Sequence, residues 1–134
     1  MKLKKILAVV LATATIATSA MGITANAANE TFSFDLDPYG DSDWSYGNEK
    51  DDNEQTAYIH PQTGYVNSSH CIYFTLYKAT NTASSNKISN SKKISSLGGT
   101  YTIPYTTYRG TGSISYIYAN TSYYDANVVG YWYS

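Results

Sequence analysis

Residues 71–78, Cys71-Ile72-Tyr73-Phe74-Thr75-Leu76-Tyr77-Lys78, decide the fold. On an extended chain Ile72, Phe74 and Leu76 fall on one side, and Cys71, Tyr73, Thr75 and Tyr77 on the other. Aromatic and β-branched residues fill the run, as a pleated, half-buried surface favours. The pattern predicts a strand over 69–78 with its aliphatic face turned inward.

The same period of two recurs on either side. Phe32, Phe34 and Leu36 share a face over 31–36. Short strands are expected at 44–46 and at 57–60, the second stopped by Pro61, with a polar loop over 47–56 between them. Residues 79–92 are Ala, Thr, Asn, Ser and Lys apart from Ile88, and read as a long hydrophilic connection crossing from one sheet to another. Further strands are expected at 93–97, at 100–103 with a kinked continuation over 105–108, at 113–119 and at 128–133. In the last, Val128, Gly130 and Trp132 share a face. Seven or eight short strands with turn-rich links predict an all-β fold, a small antiparallel β-sandwich. A small barrel is the alternative.

The N-terminus has a different chemistry. Lys2, Lys4 and Lys5 precede an apolar run from Ile6 to Ala12, and the segment ends in the small-x-small sequence Ala25-Asn26-Ala27. That is the layout of a secretory signal peptide over 1–27, cut between Ala27 and Ala28. The rival, an uncleaved membrane helix, is diluted by four Thr, Ser19 and Gly22. Cleavage leaves a single domain, 28–134, expected outside the cell with no membrane span. Nothing in the sequence fixes its oligomeric state.

The remainder holds only sixteen Ile, Leu, Val and Phe residues, a count that would usually suggest disorder. Fifteen Tyr and two Trp supply the missing apolar area, and six basic against ten acidic residues keep the net charge at −4. Disordered segments show the opposite balance. Cys71 is the one cysteine, so no internal disulfide can form.

Three groups of residues carry candidate chemistry. Nine of the ten acids fall between Glu30 and Glu54, and Asp35, Asp37, Asp41 and Asp43 surround a turn with Gly40. Hard oxygen ligands on a turn suit Ca²⁺, but the spacing is not that of an EF-hand, and a solvated acidic loop is the plainer reading. Asp35 and Asp37 also stand two apart, on one face if the strand continues, and so offer a carboxylate pair for a small hydrolase. His70 and Cys71 are neighbours on a strand and point to opposite faces, which argues against a thiol–imidazole pair. No phosphate loop, G-x-S-x-G stretch, dinucleotide fingerprint or Lys/Arg stripe for nucleic acid occurs.

The tyrosines are the third group. Each hydroxyl needs a partner or water, so fifteen cannot all be core. Tyr73 with Tyr77, Tyr101 with Tyr105, and Tyr131, Trp132 and Tyr133 at the end are candidate binding residues. Tyr among Ser, Thr and Asn is the composition of adaptable binding surfaces. It is equally a filler of sheet faces.

The run Ile72-Tyr73-Phe74-Thr75-Leu76-Tyr77-Lys78, the stretch Gly99-Thr100-Tyr101-Thr102-Ile103-Pro104-Tyr105-Thr106-Thr107-Tyr108-Arg109-Gly110 and the end Gly130-Tyr131-Trp132-Tyr133-Ser134 resemble a family of uncharacterised small secreted proteins of Gram-positive bacteria, over most of residues 30–134. More distantly, the layout resembles the lactococcin 972-type bacteriocins, with their secretory signal, absence of disulfides, small antiparallel sandwich and aromatic C-terminal end. That resemblance implies action at a competitor's cell envelope by binding a wall precursor. The chain departs from it in length and in the acidic stretch 30–54, and no functional residue carries over. The expectation is a secreted, non-enzymatic, bacteriocin-like protein that binds an envelope component. A polysaccharide-binding or matrix module is the alternative, and the Asp35/Asp37 hydrolase the second.

Overall fold

The computed structural model describes residues 29–134. The signal peptide expected over 1–27 and the cut expected between Ala27 and Ala28 lie outside the described residues. The described chain is all-β: nine strands, one short 3₁₀ turn (Ser84–Asn86) and no α-helix. In chain order the strands are β1 (Glu30–Leu36), β2 (Ser42–Trp44), β3 (Asn48–Glu49), β4 (Thr56–Tyr65), β5 (Ile72–Tyr77), β6 (Lys92–Ile94), β7 (Tyr101–Pro104), β8 (Ile114–Asn120) and β9 (Ala126–Tyr133). Among the described residues no helix is long and apolar enough to cross a membrane.

The strands form two antiparallel sheets in a sandwich-like arrangement. One has the order β1-β9-β4-β7; the other has the order β2-β8-β5-β6, with β3 pairing the far end of β8 beyond β2. Their inner faces are the predicted ones. Phe32, Phe34 and Leu36 of β1 alternate with exposed Thr31, Ser33 and Asp35. Ile72, Phe74 and Leu76 of β5 face them from the other sheet and are fully buried. Phe74 meets Phe32 and Phe34 edge-on, with ring centroids 5.3 Å away in both cases. Edge-to-face contact suits the ring quadrupoles and adds about 0.5–1.5 kcal/mol per pair to the area each ring buries. Trp132, Val128 and Ala126 of β9, Ala57 and Ile59 of β4, and Ile117 and Ala119 of β8 complete the core.

The expected loop over 47–56 holds the short strand β3, the expected continuation over 105–108 is not a strand, and two further differences shape the sheets. β4 runs through Pro61 instead of stopping there: the register against β9 shifts between Pro61 and Thr63, and this bulge absorbs the missing N–H. Residues 79–92 return to β5 in the same sheet and do not cross. The Leu76 N–H donates to Ser89 Oγ and the Ile88 N–H to the Leu76 carbonyl, while buried Ile88 anchors the returning chain.

The close approach of β4 and β9 depends on Gly130. A Cβ there would sit 2.2 Å from the His60 carbonyl oxygen and 2.7 Å from the Phe32 ring. The absent side chain lets the two strands meet and lets Phe32 fill the space beneath.

Candidate functional site

The solvent faces of both sheets carry aromatic side chains where polar ones are usual. On the first sheet, β4 and β9 pair Tyr58 with Tyr133 and His60 with Tyr131. These four rings form a ladder. Tyr58 stacks on Tyr133 (5.0 Å, 20°), Tyr133 on His60 (5.6 Å, 21°), and His60 on Tyr131 (4.5 Å, 14°). Nearly parallel rings hide their faces against one another and present edges and hydroxyls. Tyr58 donates its hydroxyl to the Glu54 carboxylate, which raises its pKa, with burial adding to the effect. His60 Nδ1 lies 3.1 Å from Thr100 Oγ1, and its Nε2 is buried without a partner. Burial lowers the pKa of the imidazole and keeps it neutral at neutral pH.

The second sheet is arranged differently. Trp44, at the end of β2, packs against Tyr118 (4.8 Å, 51°) and Tyr77 (5.3 Å, 72°), and Tyr77 meets Tyr118 at 79°. Tyr116 lies opposite Tyr77, and Tyr73 opposite Asn120, on the same face. Rings that meet at these angles set edge against face instead of face against face. Tyr77 itself is buried beneath Trp44 and Tyr118, and burial raises its pKa. Gly47 makes room for the cluster, since a Cβ there would meet the Tyr116 ring at 2.9 Å.

The predicted binding residues divide accordingly. Tyr131 and Tyr133 stand on one outer face and Tyr73 on the other, while Tyr77, on the same side of β5 as Tyr73, is buried because Trp44 and Tyr118 pack over it. Trp132 does not belong to a surface: it is fully buried in the core, because its neighbours on β9 alternate outward. Tyr101 and Tyr105 both pack against the core. Tyr101 Oη accepts the Ser96 N–H at 3.1 Å and lies 2.7 Å from Ser96 Oγ, which ties down the β6–β7 loop. Tyr105 sits beneath Lys50, whose Nζ is 5.3 Å from its ring. Its hydroxyl is buried close to Ser115 and Ser134 but meets neither at hydrogen-bonding geometry, and burial raises its pKa. Sequence reasoning misses Trp44, Tyr58, His60 and Tyr118, because cross-strand partners are not visible in a linear pattern.

The acidic residues are placed as turn and surface groups. Asp41 accepts the Asp37 and Ser42 backbone N–H groups with its two oxygens, and Asp43 accepts the Trp44 N–H. Among the described residues no three His, Cys, Asp or Glu side chains gather where they could hold a metal ion. Asp35 lies on the outer side of β1, but Asp37 is past its end. The strand stops at Leu36 because the chain turns there through two left-handed residues, Tyr39 (φ 67°) and Gly40 (φ 84°). The shared strand face expected for the carboxylate pair is therefore not formed, and both residues are exposed. His70 does turn away from buried Cys71. Its Nδ1 lies 2.7 Å from the Asp125 carbonyl oxygen, and its ring packs between Tyr65 and Tyr124.

Compared with models of known protein families, with curated proteins and with solved structures, the chain finds no match.

Proposed function

We propose that this is a secreted, non-enzymatic protein that binds the cell envelope, and that its ligand there is a glycan. One observation carries the reading: the solvent-facing sides of both sheets are faced with aromatic rings set among Thr, Ser and Asn. Large aromatic patches on a soluble surface mark a place of contact. Rings that are amphipathic and ordered, beside short hydroxyl and amide side chains, suit the alternating apolar and polar faces of a sugar. The secretory leader read from residues 1–27 puts such a surface where envelope polysaccharide is found. A bacteriocin-like action, in which the bound component is a wall precursor of a competing cell, is the sharper version of the same reading.

Co-sedimentation with purified Gram-positive wall sacculi tests it. The protein is expected to pellet with them, and the Trp44→Ala/Tyr118→Ala and Tyr131→Ala/Tyr133→Ala double variants to pellet less. Failure of the parent protein to bind sacculi or any insoluble glycan overturns the proposal. Growth inhibition of neighbouring Gram-positive strains separates the antimicrobial version from a purely adhesive one.

A further inference from the structure

The acid-poor part of the chain concentrates its positive charge at one edge. Between residues 55 and 134 there are four lysines, one arginine and a single acid, Asp125. The four lysines all lie within residues 78–93, and the return of that segment to β5 lines them along one edge of the sheet. Lys87 bridges to Tyr77, next to Lys78; Lys92 pairs with Phe74 and Lys93 with Tyr73. All four are exposed. Among the described residues none forms an ion pair with a carboxylate; Lys93 Nζ reaches the Ser68 carbonyl at 2.9 Å. The four residue steps from Tyr73 to Tyr77 span roughly 14 Å of strand, so the lysines line an edge of about that length. The opposite edge of the same sheet is acidic, with Asp43 on β2 and Glu49 on β3.

We infer that the lysine-lined β6 edge is a binding strip for an anionic polysaccharide, a sugar polymer carrying phosphate, sulfate or carboxylate along its length. The inference rests on the glycan-binding reading above and adds the ligand's charge and its place. Ammonium groups outside any ion pair are ready to meet an anion, since no existing pair has to break. The acidic β2–β3 edge repels the polymer, which sets its path along β6 instead of across the sheet. Tyr73 shares the outer face with Lys93, and Asn86, Asn90 and Ser91 lie along the same strip, which gives sugar hydroxyls both a ring and hydrogen-bonding partners. Two other partners fit less well. A second copy pairing its acidic edge with this one would find strands of only two or three residues on each side. A nucleic acid would find no arginine fork in the strip.

Dextran sulfate and uncharged dextran of equal length, offered to the purified protein, test the strip directly. Dextran sulfate is expected to bind and dextran to bind far more weakly. Between about 50 and 200 mM salt the affinity should fall on the order of tenfold to a hundredfold, as counterion release at about four sites requires. Changing all four lysines to Gln (K78Q, K87Q, K92Q and K93Q) should weaken binding at least about tenfold, and changing all four to Arg should preserve it, because Arg keeps the charge. The positions are exposed, so thermal melting checks that the Gln variant remains folded. Binding of dextran sulfate by the Gln variant as tightly as by the parent overturns the inference. So does equal affinity for single-stranded DNA of matched charge, or a low-salt dimer that the Gln changes abolish without any polymer binding. Sacculi stripped of their anionic polymers separate the two readings. If parent and Gln variant bind intact and stripped sacculi equally, the glycan reading stands and the strip fails. If the parent binds neither, both fail.

Discussion

The two solvent faces use the same residue types to opposite ends. On β4 and β9, directly and diagonally opposed rings stack within 14–21° of parallel and turn edges and hydroxyls outward. On β2, β8 and β5 the rings meet at 51–79°. The difference lies in strand length and register. β4 and β9 are long and keep an unbroken register from Tyr58 to Pro61, ahead of the bulge, so four rings repeat at the strand spacing. β2 is three residues long, and only Trp44 reaches over the two central strands. A ladder covers ring face with ring face; a tilted cluster sets edge against face.

The most severe way to break this comparison is at Gly130. Gly130→Ala places a Cβ against the β4 backbone, where neither strand can give way. We expect a loss of about 3 kcal/mol, or failure to fold, measured by urea unfolding. The matching change on the second sheet, Gly47→Ala, meets only the side chains of Ile114 and Tyr116 and should cost less.

Single ring deletions sharpen the comparison. Tyr118→Ala uncovers buried Tyr77 as well as removing two contacts, and is expected to cost about 2 kcal/mol in the same assay. Tyr133→Ala removes its stacks with Tyr58 and His60 and should cost about 1 kcal/mol. A double-mutant cycle on Tyr58 and Tyr133 should return a coupling of about 0.5–1.5 kcal/mol.

Much of this molecule is legible in its sequence, and the part that is not has a physical cause. Alternation along one strand reports which side a residue faces, and so the linear pattern alone marks Phe32, Phe34, Leu36, Ile72, Phe74 and Leu76 as core. Pairing between strands leaves no such trace. The ladder depends on Tyr58 lying opposite Tyr133 across 75 residues of chain, and the lysine strip on the return of residues 87–93 to β5. Trp132 reads as a surface residue when grouped with the tyrosines on either side of it; alternation alone, applied from Val128, puts it inside. Lys50 escapes a sequence reading altogether. It is a fully buried cation in a polar segment, held by Asp52 at 3.2 Å and by the Tyr105 ring, and composition gives no hint of it.

The ladder also carries a pH dependence that the tilted cluster lacks. Burial holds the His60 pKa below its ordinary 6.5. The unfolded chain therefore takes up a proton at a higher pH than the folded one. The stabilisation is present in full above 6.5 and is lost as pH falls from there through the folded-state value. The urea midpoint should move downward over that window in the parent protein, and less in His60→Gln. The smallest effect expected is at Tyr46, which is 82 % exposed and belongs to neither array. Tyr46→Ala should change stability by less than about 0.5 kcal/mol, and a larger loss would show that the faces extend beyond the rings named above.

The position of β9 has a consequence in time. It is the last of the described strands in chain order, yet it lies between β1 and β4, the first and fourth. Until residues 126–133 have left the ribosome, β1 has no partner in its sheet and the Phe32 and Phe34 rings have no floor. At roughly 5–20 residues per second, the sheet that holds β1 is therefore completed several seconds or more after β1 itself is made. The sheet β2-β8-β5-β6 needs none of those residues, so the two halves of the sandwich are completed at different times.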